Sequence, residues 1–215
     1  MTEYEYTYIE HDKSDAASIE GTENYCYSNT TILRNKQGIK DEEALTVAER
    51  EISSLRLLQL RGKSINGNFD LDHLCKIHRF IFSDIYKWAG NLRRGEFLSK
   101  GGSIFCRGQF LKNTSDEIFT KLSNENQLRK LPKEQFIKRL AFYMGEVNAL
   151  HPFREGNGRT AREFFRQLSF KAGYTLDFGN TNTDELLKAD IDAFNGDCAG
   201  LVVILDKATQ QSQYF

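Results

Sequence analysis

The chain is poor in the features that mark a secreted, metal-built or membrane-bound protein. Its four cysteines stand at 26, 75, 106 and 198 with no C-x-x-C pair. They read as free thiols of a reducing compartment, not as a disulfide framework or a zinc site. No apolar run approaches the length that spans a bilayer, which argues against a membrane partner. The first residues, Met1-Thr2-Glu3-Tyr4-Glu5, are acidic and polar, unlike a secretory leader, so the expected address is cytoplasmic. A formal net charge of −1 supplies no global field to recruit nucleic acid directly. Gly62-Lys63-Ser64 ends like a P-loop, but Leu57 occupies the place of the first glycine. His73 and His78 are five apart, where a helical zinc-hydrolase pair needs four. Internal repeats and low-complexity stretches are also missing.

What is present is 215 residues with 40% hydrophobic and 27% charged side chains, enough to bury a sizeable core in one domain. Residues 1–40 read as an arm laid over that domain, with a short helix near 15–21 stopped by Gly21. From residue 41 to 215 the pattern is mainly α. Leu45, Ala48, Ile52 and Leu55 form the apolar stripe of a first helix that Gly62 stops. Asp70 caps a second, with Leu71, Leu74, Ile77 and Ile81 inward. A third runs from about Thr114 to Gln127. Pro132 opens a fourth, striped by Phe136, Leu140, Tyr143 and Val147. A fifth starts within Gly156–Gly158, buries Ala161, Phe164, Phe165 and Leu168, and stops at Gly173. A sixth starts at Thr183 or Asp184, with Leu187, Ile191 and Phe194 inward. Leu201–Leu205 reads as a last helix. One stretch interrupts the helices. Lys100-Gly101-Gly102, between Glu96-Phe97-Leu98 and Ser103-Ile104-Phe105, carries a hairpin signal. The reading of that hairpin stays open between a structural turn and a ribbon whose edge accepts an incoming peptide strand.

The chemistry concentrates in His151-Pro152-Phe153-Arg154-Glu155-Gly156-Asn157-Gly158-Arg159-Thr160-Ala161-Arg162. A helix N-terminus has unpaired N–H groups and partial positive charge, so it attracts phosphate. Gly156 and Gly158 let the backbone turn tightly into an anion nest, to which Asn157 can add an amide donor. Arg159 and Arg162, three apart, can grip further phosphate oxygens. Glu155 beside phosphates would repel them unless a cation intervened, so its sensible role is to hold Mg²⁺. His151, near neutral in pKa, can take a proton from an attacking hydroxyl. Phe153 reads as the core anchor of the loop. Together these parts describe attack by a hydroxyl on a phosphate of a Mg-nucleotide.

This run resembles the signature H-P-F-x-(D/E)-G-N-G-R-x-x-R of the Fic family at every fixed position. Tyr25-Cys26-Tyr27, Leu33-Arg34-Asn35-Lys36, Asp70 to His78, Trp88-Ala89-Gly90 and Ser99-Lys100-Gly101-Gly102 are similar to segments of bacterial Fic proteins. The resemblance implies a helical Fic fold in which the hairpin, with Phe97, Leu98, Ser99, Lys100, Gly101, Gly102 and Ser103, is a flap that docks the target segment. It also implies transfer of AMP from ATP to a Ser, Thr or Tyr hydroxyl of a protein, such as a type II topoisomerase subunit. In it His151 is the base and Glu155 the Mg²⁺ ligand. Gly156, Asn157 and Gly158 form the anion hole, Arg159 holds phosphate and Arg162 holds the γ-phosphate. A relative that transfers phosphate has Lys at the second glycine, whereas Gly158 is kept here. Phosphotransfer, UMP transfer and a silent binding module are the alternatives. Fic enzymes are commonly restrained by a helix carrying (S/T)-x-x-x-E-(G/N), in a separate antitoxin or in cis. Glu20-Gly21 fits its end, while Ala16 departs from its start. Glu20 pairing with Arg162 in cis and a plain helix end are the two readings of that segment.

Overall fold

A computed structural model describes residues 25–93, 98–100 and 103–212, with backbone alone at 99, 100, 103 and 104. Glu20, Phe97, Gly101 and Gly102 lie outside the described residues. Within them are seven α-helices and two two-stranded antiparallel ribbons. The helices are α1 (Glu42–Gly62), α2 (Leu71–Phe82), α3 (Leu111–Asn124), α4 (Lys133–Leu150), α5 (Asn157–Ala172), α6 (Thr183–Phe194) and α7 (Ala199–Ala208). The strands are β1 (Ser99–Lys100), β2 (Ser103–Ile104), β3 (Tyr174–Leu176) and β4 (Thr209–Gln211). No described helix is long and apolar enough to cross a membrane.

Local signals set most boundaries. Asp41 and Asp70 cap α1 and α2 by accepting N–H bonds from Ala44 and His73, each at 2.8 Å, which satisfies an otherwise unpaired helix donor. Gly173, at φ +95°, ends α5 in the left-handed conformation that glycine adopts without strain. Helix α4 is the centre of the bundle. Phe136, Leu140, Tyr143 and Val147 are buried, but so are Ile137, Ala141, Met144 and Leu150. It packs against α3, α5, α6 and α7, so it is covered on more than one side. Helix α5 lies against α2, α4 and β3. Its Phe164 meets Phe69, Phe119 and Phe165 edge to face, a favoured aromatic geometry.

Four features differ from the sequence expectations. Leu55 is 63% exposed, because the inward face of α1 is built from Leu45, Ser53 and Leu60 together with Glu49, whose carboxylate reaches α5. Ile191 is 39% exposed, because α6 turns Leu186, Ala189 and Ala193 inward. Helix α3 begins at Leu111 after a 3₁₀ turn, Gly108–Phe110, and ends at Asn124. The β3–β4 ribbon was not anticipated. Tyr174 pairs with Gln211 and Leu176 with Thr209. These three-residue strands follow directly on helices and join without a hairpin turn, so they carry neither period nor turn chemistry.

The β1–β2 ribbon pairs Ser99 with Ile104 and Lys100 with Ser103, and Phe105 N–H donates to Leu98 C=O at 3.0 Å. Residues 25–40 run beside the end of α2. Cys26 and Leu33 form a bridge, Tyr25 meets Trp88 edge on at 5.7 Å, and Lys36 N–H donates to Ile85 C=O at 2.8 Å.

Candidate active site

Helix α4 delivers His151 as its C-terminal cap in a left-handed conformation, φ 44° and ψ 61°. A non-glycine residue there carries strain of about 1–3 kcal/mol that neighbouring contacts must offset. Arg93 supplies them. It is 2% exposed, and its guanidinium donates to His151 C=O at 2.7 Å, to Leu150 C=O at 3.4 Å and to Cys106 C=O. Its N–H donates to Pro152 C=O at 2.9 Å. A cation at the negative end of a helix is also favourable electrostatically. The His151 ring is oriented separately. Its Nδ1 lies 3.3 Å from Asn148 C=O. A carbonyl can only accept, so Nδ1 carries the proton and Nε2 is the basic nitrogen.

The loop after His151 is closed by its own side chains. Asn157 Oδ1 accepts from Phe153 N–H at 2.9 Å, and Nδ2 donates to Phe153 C=O at 2.8 Å. Both ends of that amide are therefore spent within the loop, and the amide donor expected for a phosphate is employed there instead. Phe153 is 1% exposed and anchors the loop. Gly156 stands at φ +82°, and a Cβ there would lie 2.3 Å from the Phe82 ring, so the position admits no side chain. Glu155 Oε1 accepts from Gly156 N–H at 2.8 Å. The N–H groups that open α5 have, by helix geometry, no acceptor within the helix.

The two arginines of α5 diverge. Helical side chains lean toward the N-terminus, and Arg162 does so. A Cβ at Gly158 would lie 3.2 Å from its Nη1, so its guanidinium folds back over the helix start. Arg162 lines a cleft with Asn148, Asn157, Gly158 and Asp190. Burial lowers its proton affinity, opposed by Asp190 across the cleft. Burial raises the Asp190 carboxyl to about 6, with Arg162 opposing. A desolvated guanidinium at a helix N-terminus is suited to an incoming anion. Arg159, in contrast, reaches α1. It donates to Ser53 Oγ at 3.0 Å, to Glu49 and to Glu155 at 3.4 Å, and stacks over Phe82 at 4.8 Å. Burial opposes its charge, but Glu49 and Glu155 hold it protonated. The two arginines, both expected at the phosphates, are thus placed differently. Arg162 faces the cleft, while Arg159 braces Glu155. Tyr86 donates its hydroxyl to Glu49, and burial followed by Glu49 pushes that hydroxyl's pKa up, so it remains a donor.

His78, read from sequence as a packed helical side chain, is also a tether. Its Nε2 donates to Glu155 C=O at 2.9 Å, its Nδ1 accepts from Gly90 N–H at 2.7 Å, and its ring stacks on Phe153 at 3.9 Å. Burial lowers its pKa to about 4. The unfolded chain binds this proton below about pH 6.5, the folded chain near pH 4, so unfolding takes up a proton between them. The stability that His78 contributes is whole above about pH 6.5 and is lost as pH falls toward 4, roughly 3 kcal/mol over that window. Urea unfolding at stepped pH should show this decline, and His78→Gln should flatten it. Subtracting one profile from the other separates His78 from His73 and Asp190, which are present in both. Equal slopes would exclude the tether's titration.

Glu49, His78, Arg93, Asn148 and Asp190 were not assigned site roles from sequence. A usable signal existed only for His78, a polar ring on the apolar stripe of Leu74, Ile77 and Ile81.

The fold class comes first from solved structures. The crystal structure of BepC protein, a VirB-translocated effector of Bartonella tribocorum with bound AMPPNP, is similar with a TM-score of 0.84 at 27% identity, over 90% of this chain and 99% of that one. The helical fold is thus that of a Fic domain. The family follows from sequence. The Fic/DOC family profile matches residues 68–169. The "Protein adenylyltransferase VbhT" of Bartonella schoenbuchensis is 41% identical over 172 residues, 80% of this chain and 36% of that protein. The "Probable protein adenylyltransferase Fic" of Salmonella typhimurium is 34% identical over 195 residues, 90% of this chain and 96% of that protein. The chain belongs to the Fic/DOC family. It spans about a third of the length of VbhT and nearly all of the Salmonella protein.

Proposed function

We propose that the chain is a protein adenylyltransferase, moving AMP from ATP to a Ser, Thr or Tyr hydroxyl of a target protein. The observation that carries this reading is Arg162 folded over Gly158 at the start of α5, in a cleft also lined by Asn148, whose carbonyl fixes the His151 tautomer. The names of VbhT and the Salmonella protein support the reaction class. The nucleotide's phosphates lie on the N-terminus of α5, with Asn157 and Gly158 contributing backbone N–H groups, Gly156 the tight turn that presents them while its own N–H is held by Glu155, and Arg162 the terminal phosphate contact. His151 Nε2 takes the proton as the target hydroxyl attacks the α-phosphorus. The new oxygen–phosphorus bond forms as the bond from the α-phosphorus to its bridging oxygen breaks. Pyrophosphate leaves with that electron pair. The flap edge at Leu98–Lys100 and Ser103 docks the target as an added strand.

Mg²⁺ is part of the proposal. Among the described residues no three His, Cys, Asp or Glu groups gather as a metal cluster. Glu155 offers one partly exposed carboxylate at the anion site, with its Oε1 held by Gly156 N–H and Arg159. That donor set fits Mg²⁺, which keeps several waters and takes further ligands from phosphate. When bound, the ion would neutralise charge on the phosphates. Glu155 would hold it, and Arg159, braced by Glu49, would keep Glu155 in place. The chain acts in the cytoplasm, on a target such as a type II topoisomerase subunit, under restraint by an antitoxin or by its own arm.

In the second case Glu20 pairs with Arg162 and competes with the γ-phosphate. Glu20→Gly should then raise self-labelling several-fold, and an unchanged rate would leave the restraint to a separate chain. For the reaction itself, ATP labelled at the α-phosphate should transfer label to protein, while γ-label should leave as pyrophosphate. Transfer of the γ-label, or of neither, would sink the reading.

A further inference from the structure

We propose that Phe105 is a positioning residue for the base, and that through it the flap and the His151 imidazole move as one unit. The inference rests on His151 being the base of the adenylyl transfer. The Phe105 ring lies parallel to the His151 imidazole, with centroids 3.8 Å apart and planes at 20°. It also meets Phe194 of α6, edge to face at 5.5 Å. Phe105 is 7% exposed, so the ring is wedged between the imidazole and α6.

The imidazole needs such a wall. Rotation of a histidine ring about its last torsion is broad and weakly restrained. The Asn148 bond acts in the ring plane and is long, at 3.3 Å. It limits tilt poorly, whereas a parallel aromatic face fixes the plane itself. Fixing that plane aims Nε2, since the Asn148 carbonyl already holds Nδ1.

Phe105 is also the residue that ends the flap. Its N–H closes the ribbon on Leu98 C=O, and the next residue, Cys106, donates N–H to Ala149 C=O at 3.0 Å in the last turn of α4. Arg93 then bonds the carbonyls of both Cys106 and His151. Strand β2 is therefore stitched at its end to the helix that presents the base. A peptide that pairs with the flap and shifts its strands must shift the Phe105 ring, and with it the imidazole. Docking of a target thereby registers the hydroxyl and the base together.

The test compares Phe105→Leu and Phe105→Met with Phe105→Tyr, using self-labelling from α-labelled ATP. The two aliphatic variants should lose about 10- to 100-fold in rate at saturating ATP. Half-saturating ATP should stay within about twofold, because the phosphate site is untouched. Tyrosine, which keeps the ring, should restore the rate. Independently of any activity, ¹⁵N spectra of labelled histidine should show one Nδ1–H tautomer for His151 in the parent chain. The aliphatic variants should show an averaged signal at unchanged melting temperature. Equal rates for Leu and Tyr would overturn the proposal. So would a rate that falls only in step with ATP affinity or melting temperature, or an unaltered His151 signal. A parent chain that transfers no AMP but shows the tautomer change would instead fault the reaction assigned above.

Discussion

His151→Ala lowers transfer of α-label from ATP to protein by about 10²- to 10⁴-fold, the range that a positioned general base contributes. ATP affinity changes little, because the proposed phosphate contacts come from the start of α5 and Arg162. The reason lies in the geometry of one ring. Asn148 C=O accepts from Nδ1–H, Phe105 fixes the plane, and Nε2 is left as the basic atom. Alanine deletes that atom while Arg93 continues to hold the backbone of residue 151. The measurement is a single-turnover rate alongside a nucleotide titration. If affinity falls as far as rate, His151 is a binding residue and the assigned base is wrong.

Arg93→Met should be the most damaging change for the fold. The guanidinium serves the carbonyls of Cys106, Leu150 and His151 from a buried position. Each buried carbonyl left without a donor costs about 1–3 kcal/mol, and with two of the three bonds only partly buried the loss comes to about 3–5 kcal/mol in all. For a domain of this size that corresponds to a fall of roughly 10 °C in melting temperature. Transfer activity falls further than stability requires, because the left-handed turn at His151 loses what offsets its strain. Arg93→Lys keeps the charge but not the planar fork, and should fall between. Urea unfolding gives the energies, and an unchanged midpoint would remove Arg93 from its structural place.

The fold was legible wherever no charged side chain takes an inward position of the helix. Leu74, Ile77 and Ile81 on α2, and Phe136, Leu140, Tyr143 and Val147 on α4, are buried as their spacing implies. The stripes misled on α1 and α6 for one shared reason. Glu49 and Ser53 occupy inward positions of α1 because they receive Arg159. On α6, Asp190 lines the cleft opposite Arg162. A polar side chain serving the site breaks the apolar period, and the eye then follows Leu55 or Ile191 to the wrong face. The motif run was legible as chemistry because its residues are contiguous. Arg93 and Asp190 were not, since each acts on the loop from a distant segment, and Asn148, one turn before His151, acts through a backbone carbonyl that no side-chain pattern marks.

The bond between Glu49 and Arg159 spans 110 positions of sequence, and that from Ser53 to the same guanidinium spans 106. During synthesis α1 emerges long before the residue it must engage. Closing so long a loop costs entropy before any contact rewards it, so Glu155 acquires its brace only once α5 is made and docked. In the proposed reaction, competence is therefore a late event in folding, and a chain synthesised only as far as α4 is inert.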